Sequence, residues 1–274
     1  MNKLQLPRMT NQEYEYVESQ ASQRNMWLRQ CPTCRSQQVE LSPGYFDWPE
    51  NSVYRYLNEE FICNCEQQDA LRRHYLLADV PMTYWTLGVD DYFGDPEALV
   101  KVQEYLTNWP QYKAYGLGMK IYSQTLGVGK TMLAALIAKT LIQRRERVVF
   151  SSMYDAITAN QLPADEAHSR MQRLRTRSVL ILDEVGRGIS TAQTAWMASQ
   201  IEYLLRHRIS HNLVTIVTTN LTEDELESEY PRCFSLLAEK QIEVHVQGVD
   251  ARSNGDKRFL DLELARNGEA RPLI

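Results

Sequence analysis

Nowhere do the 274 residues contain the run of about 18 apolar residues needed to cross a bilayer as a helix. The opening stretch, MNKLQLPRMTNQEYEYVESQ, has no apolar signal core and is acidic and polar, unlike a transit peptide. The expectation is a cytoplasmic protein with no membrane contact. Cysteine is scarce and odd in number, five in all, which argues against a disulfide framework. A large excess of one charge is also missing. The net charge of −5 excludes a polycation that coats nucleic acid and confines any such contact to a local basic strip. There is no internal repeat and no extended low-complexity tract. Apolar residues, at 43%, are somewhat few but sufficient for a core. The length suits one large domain, or a medium one beside a small one.

What is present changes character along the chain. Residues 1–30 are rich in Gln, Glu and Asn and suggest one helix. From QCPTCRSQ to FICNCEQQ the apolar pieces are short and a cysteine pair stands at either end. EQQDALRRHYLLADV is helical and stops at Pro81; PEALVKVQEYLTNWPQY is a helix opened by Pro96 and ended near Pro110. After Gly118 strands and helices alternate. MKIYS, RVVFSS, SVLILDEV and LVTIVTTN are strands, interleaved with helices such as TMLAALIAKTLIQRR, whose Met132, Leu133, Leu136, Ile137 and Leu141 repeat at the spacing of one helix face. The expected fold is therefore α/β with a parallel sheet. In such a sheet ligands bind at the C-terminal strand ends, here the loop after Ser123, Asp183 with Glu184, and Thr219 with Asn220.

The first of these ends carries a phosphate-loop pattern. G-x-x-x-x-G-K-[ST] is met at Gly129, Lys130 and Thr131, but Gln124 stands where the leading glycine belongs. Leu126, Gly127, Val128 and Gly129 would curl their N–H groups around a phosphate, with Met132 in the first turn of the helix that follows. Lys130 would reach the β- and γ-phosphates and Thr131 would hold Mg²⁺. The leading glycine eases the turn and makes no phosphate contact, so Gln124 removes none. GVGKT alone also arises by chance at a strand-to-helix turn. The VLILDE strand, whose Asp183 lies 53 residues beyond Lys130, has the order and spacing of a Walker B motif. There Asp183 would hold Mg²⁺ and Glu184 would polarise the attacking water. Asn220, at the tip of TIVTTN, would orient that water or sense the γ-phosphate. ATP and Mg²⁺ are the implied ligands, and ATP hydrolysis the implied chemistry.

Two further groups stand out. Cys31 and Cys34 form C-x-x-C, and Cys63 and Cys65 follow as C-x-C. Four thiolates fit a closed tetrahedral zinc site, and the tightness of C-x-C leaves His74 as a substitute for one of that pair. Buried thiols or a redox pair fit the same residues. RMQRLRTR gathers Arg170, Arg173, Arg175 and Arg177 within eight residues, and RHR adds Arg206 and Arg208. Either run could follow a phosphate backbone, or form a solvated helix face.

LLADVPMTYWTL, LGVGKTMLAALIAKTL, VLILDEVGR and VTIVTTNLTEDELESEY together resemble the AAA+ ATPases of the bacterial helicase-loader group, the DnaC/DnaI type, with IstB-like transposition ATPases as relatives. The resemblance runs from about residue 76 to residue 252. It implies a P-loop AAA+ domain at 116–274 without a C-terminal helical lid, since 54 residues follow Asn220. It also implies a lead-in linker and helix at 79–115 and an N-terminal zinc-binding, partner-docking domain at 1–78. The group's arginine finger falls at Leu236, so Arg232 is the substitute, and Arg252 matches the sensor-2 arginine. The implied partners are a hexameric replicative DNA helicase, single-stranded DNA and copies of the chain itself, stacked head to tail as a hexamer or spiral. The alternative is an IstB-like ATPase that coats duplex DNA and recruits a transposase.

Overall fold

A computed structural model of the chain describes residues 4–23, 47–48, 52–56, 59–63, 65–186 and 191–250. In chain order the elements are β1 (Leu4–Gln5), α1 (Asn11–Gln23), β2 (Asp47–Trp48), β3 (Ser52–Tyr56), β4 (Glu59–Cys63), α2 (Cys65–Leu77), α3 (Pro96–Thr107), α4 (Trp109–Ala114) and β5 (Gly118–Tyr122). Then come α5 (Lys130–Gln143), β6 (Val148–Ser152), α6 (Met153–Thr158), α7 (Ala164–Thr176), β7 (Val179–Val185), α8 (Thr191–Ser210), β8 (Val214–Thr219), α9 (Glu223–Glu229), α10 (Pro231–Ala238) and β9 (Gln241–His245).

Five strands form one sheet in the order β6-β7-β8-β5-β9, all parallel. The four strands expected from apolar runs are present. The fifth, β9, has only Val244 buried, too weak a pattern to read from sequence. One sheet face, with Met119, Ile121, Ile181 and Ile216, packs on α5 in the main core; the other, with Val149, Leu180, Leu182 and Val217, forms a second core.

Helix α5 departs from the expected one-faced pattern. Nearly every residue from Lys130 to Ile142 is buried, Lys139 included. The reason is the stretch 80–109, within the expected linker and lead-in helix, which covers the outer side of α5. Val80, Trp85, Ala98, Val102, Tyr105 and Trp109 join the main core, and Leu87 packs on Met132 and Leu136. Lys139 Nζ is satisfied there by donating to the carbonyls of Tyr84 (2.9 Å), Trp85 (3.1 Å) and Leu87. Asp95 caps α3, accepting from Glu97 N–H at 2.9 Å, with Pro96 in the first turn.

Described residues on both sides of position 78 contribute to a single core. Leu6, Met9, Val17 and Ala21, together with Ala70, Leu71, Tyr75 and Leu76, belong to the same cluster as the sheet. Ion pairs fasten this region down: Glu13 binds Arg177, and Arg73 binds both Glu18 and Asp69. The Ala78 carbonyl accepts from Phe150 N–H at 2.7 Å, continuing the hydrogen bonding at the β6 edge. Both described N-terminal helices thus pack into the core of the sheet, and residues 24–64 connect them in sequence.

Candidate nucleotide-binding site

The loop 123–129 leaves the C-terminal end of β5 and enters α5 at Gly129. Its two left-handed residues are Gly127 (φ 68°) and Gly129 (φ 95°), where only glycine sits without strain. Gln124 is absent from the positive-φ residues. The leading position of this loop therefore makes no demand for glycine, which explains how the departure from the motif is accommodated. A Cβ at Gly129 would also meet Tyr92 Cε2 at 2.9 Å, so the residue must stay small for the loop to pass beneath that ring.

Helix α5 begins with no side-chain cap. The first N–H groups of a helix lack intrahelical partners and carry the positive end of the helix dipole, so this terminus is open to a phosphate. Lys130, buried at the start of α5, donates from Nζ to the carbonyls of Ser123 (3.0 Å) and Thr125 (2.9 Å). These contacts hold the ammonium in the cradle.

Strand β7 brings the acids alongside. Thr131 Oγ1 lies 3.1 and 3.2 Å from the two carboxylate oxygens of Asp183. A hydroxyl and a carboxylate this close are the oxygen donors that a hard, partly hydrated Mg²⁺ takes, so the residues present fit that ion. Burial, with Glu184 nearby, pushes the Asp183 carboxyl above its ordinary value, against the hydrogen bonds from Thr218 and Thr131 that pull it down. Glu184 is left-handed, with φ 56°, and the β7–β8 register shifts between Leu182 and Val185. This bulge re-aims the Glu184 side chain away from the strand's alternation. A non-glycine residue in this region stores about 1–3 kcal/mol of strain.

Thr218, which the sequence reading passed over, holds both acids. Its hydroxyl donates to Asp183 Oδ1 and accepts the Glu184 N–H at 3.0 Å. Thr219, on the opposite face, donates to the Val185 carbonyl at 2.8 Å. Asn220 Oδ1 is buried without a hydrogen-bond partner, an acceptor suited to a water at the reacting phosphate. Met132 is buried in the first turn of α5, while Leu126 is exposed and Val128 buried.

Other expected residues fall elsewhere. Leu236 packs against the second core and carries no charge toward a neighbour. Arg232, at the start of α10, is 77% exposed and approaches Glu202 at 3.5 Å. Arg252 lies outside the described residues, as does the whole stretch 251–274. Cys31 and Cys34 also lie outside them; Cys63 ends β4 and Cys65 begins α2. His74 is not available as a metal ligand. It is buried, with Nδ1 2.7 Å from the Ala70 carbonyl and Nε2 2.9 Å from the Pro7 carbonyl.

The arginine run on α7 does not form a free basic strip. Arg170 and Arg173 both bind Asp79, Arg177 binds Glu13, and Arg175 stacks over Tyr203 and meets His207 Nδ1 at 3.1 Å. Arg208 is fully buried, clamping the carbonyls of Leu174 (2.8 Å), Arg177 (3.0 Å) and Val214 (2.6 Å). Arg206 is exposed and pairs with Glu202.

Residues 124–241 match the family described as "ATPase family associated with various cellular activities (AAA)", beginning in the phosphate loop itself. The chain is similar to the replicative helicase loader DnaI of Bacillus subtilis, at 24% identity over 239 residues, covering 80% of this chain and 71% of that protein. Among solved structures it resembles that of the DnaC helicase loader, with a TM-score of 0.51 and 23% identity over 60% of this chain and 98% of the other. It also resembles a DnaI structure, with a TM-score of 0.48 and 18% identity over 58% of this chain and 89% of the other. No described helix is long and apolar enough to cross a membrane.

Proposed function

We propose that the chain, whose residues 124–241 match the AAA ATPase family, is a cytoplasmic, ATP-dependent loader of a hexameric replicative DNA helicase onto single-stranded DNA. The observation that carries this reading is the reach of the similarity to DnaI. It extends over 80% of the chain, well beyond the residues matched as AAA. A relation through the ATPase fold alone would stop at that domain.

In this reading Lys130 and the α5 N-terminus bind the phosphates of ATP, and Thr131 and Asp183 hold Mg²⁺, which neutralises phosphate charge when bound. Glu184 takes a proton from the attacking water while Asn220 orients it. Copies of the chain stack head to tail, and a contact of this kind that does not close gives a spiral. Arg232 reaches the neighbouring nucleotide from its exposed position, and Arg252 serves as sensor 2. Cys31, Cys34, Cys63 and Cys65 bind Zn²⁺ and shape the segment that grips the helicase. Because that segment is strung between α1 and α2, which pack in the ATPase core, nucleotide state and helicase grip are mechanically linked.

The test uses the full chain, since cutting at residue 78 would remove Leu71, Tyr75 and Leu76 from the core. Parent and a Cys31→Ser/Cys34→Ser variant are compared for bound zinc and for capture of the replicative helicase in the presence of ATP. The reading expects stoichiometric zinc and helicase capture in the parent, both lost in the variant, with ATP binding retained by each. A parent that captures no helicase but coats duplex DNA would replace this reading with the IstB-like one.

A further inference from the structure

Away from the nucleotide, the opposite edge of the sheet carries its own concentration of charge. Arg147, Ser178 and Leu213 immediately precede β6, β7 and β8. In a parallel sheet that places them together at the N-terminal edge, one strand length, about 17 Å, from the phosphate loop. With Arg8, Lys113, Arg145 and Glu146 they line a cleft of about 420 Å³. Its lining has four cations, Arg8, Lys113, Arg145 and Arg147, against one carboxylate, a local charge of 4 − 1 = +3 in a chain of net −5.

That carboxylate is already committed. Glu146 is buried and accepts from Lys113 Nζ at 2.7 Å, Trp109 Nε1 at 2.9 Å and Ser178 Oγ at 3.0 Å. Arg147 is half exposed, held by the Arg8 carbonyl at 3.2 Å, and its nearest acid, Glu13 at 3.9 Å, is engaged by Arg177. The turn R-R-E-R between α5 and β6 therefore buries its acid and leaves Arg144, Arg145 and Arg147 exposed.

We propose that this cleft binds the phosphodiester backbone of single-stranded nucleic acid. The inference rests on the loader reading, which requires a grip on DNA, and relocates that grip from the α7 arginines. Guanidinium groups present fixed pairs of donors that match phosphate oxygens, and they give up hydration more readily than ammonium groups. An acidic peptide has the matching charge but needs apolar anchors, and the lining's apolar side chains are Pro7 and Leu213 alone.

The test is titration of a fluorescent oligo(dT) with the full chain over a salt series, with ATP present and absent. Arg145→Asn removes charge while keeping a residue that tolerates the left-handed backbone at φ 66°; Arg147→Gln removes the second. Each lost phosphate contact lowers the slope of log affinity against log salt by about 0.7 on single strands. The single Arg145→Asn variant is expected to lose about 0.7 and the double variant about 1.4, with ATP hydrolysis and helicase capture unchanged. Lys101→Gln, exposed on α3, should leave the slope unchanged. A double variant with the parental slope, a parent that binds no oligo(dT), or displacement by poly-glutamate but not by unlabelled oligo(dT) would each overturn the assignment. Failure of the loader reading shows separately, as absence of helicase capture by the parent.

Discussion

Replacing Thr218 with valine keeps the shape of the side chain and deletes the hydroxyl that joins the two Walker acids. Two bonds disappear: the donation to Asp183 Oδ1 and the acceptance of Glu184 N–H at 3.0 Å. A hydrogen bond to an ionised group contributes about 1.5–3 kcal/mol. If that loss is expressed in the transition state, at about 1.4 kcal/mol per tenfold, turnover falls roughly 10- to 100-fold. The loss is also pH-dependent. Burial already raises the Asp183 carboxyl, and Thr218 is the first of the groups that restrain the rise. Without it the carboxyl rises further, and because Mg²⁺ needs the ionised form, the acidic limb of the activity profile moves to higher pH. In the metal-free protein the sign is the reverse of a salt-bridged acid. A raised carboxyl favours the fold at low pH and loses that contribution as pH climbs through the folded value. The variant's stability deficit is therefore larger at neutral pH than in acid. The assay is phosphate release under saturating Mg·ATP across pH, with Thr218→Ser as the variant that restores the hydroxyl. Valine turnover within about twofold of the parent, with an unmoved acidic limb, would refute the role given to Thr218.

Gly129→Ala places a side chain at φ 95° and against Tyr92 Cε2. We expect a loss of about 1–3 kcal/mol in denaturant unfolding, with weakened nucleotide binding. Tyr92→Leu added to it should recover part of the loss but not the part owed to the backbone. Glu13→Gln breaks the pair with Arg177. Burial works to raise the Glu13 carboxyl, but Arg177, the Thr10 N–H and Arg147 together hold it below its ordinary value. A depressed carboxyl contributes stability above its unfolded value and loses it as pH falls through the folded one. Urea midpoints of parent and Glu13→Gln should accordingly differ at neutral pH and converge in acid.

The candidate nucleotide site was legible because its requirements are local. A loop that curls around phosphate needs glycine at left-handed positions, and it has it at Gly127 and Gly129; the strand that carries Asp183 must be apolar because it is buried on both faces. Thr218 was within reach of the same reasoning. Val179, Ile181 and Asp183 share a strand face by alternation, as do Val214, Ile216 and Thr218, and the pairing Ile181↔Ile216 sets them side by side. Only the register was missing. The partners of the arginines at 170–177 were not legible for a different reason. Whether a guanidinium is free depends on carboxylates distant in sequence, and Asp79 lies 91 residues from Arg170 while Glu13 lies 164 from Arg177. The packing of the N-terminal helices was hidden for the same reason. A polar, cysteine-bearing stretch between two helices looks like a separate module, yet Val17, Ala21, Tyr75 and Leu76 sit in the core of the sheet. Composition reports which residues can be buried, but not against what. The two ends of the parallel sheet sharpen this contrast: the C-terminal edge is marked by motifs that a phosphate requires, whereas the cleft at the N-terminal edge is assembled from single residues before separate strands. No stretch of sequence contains such a site, and only the sheet order brings it together.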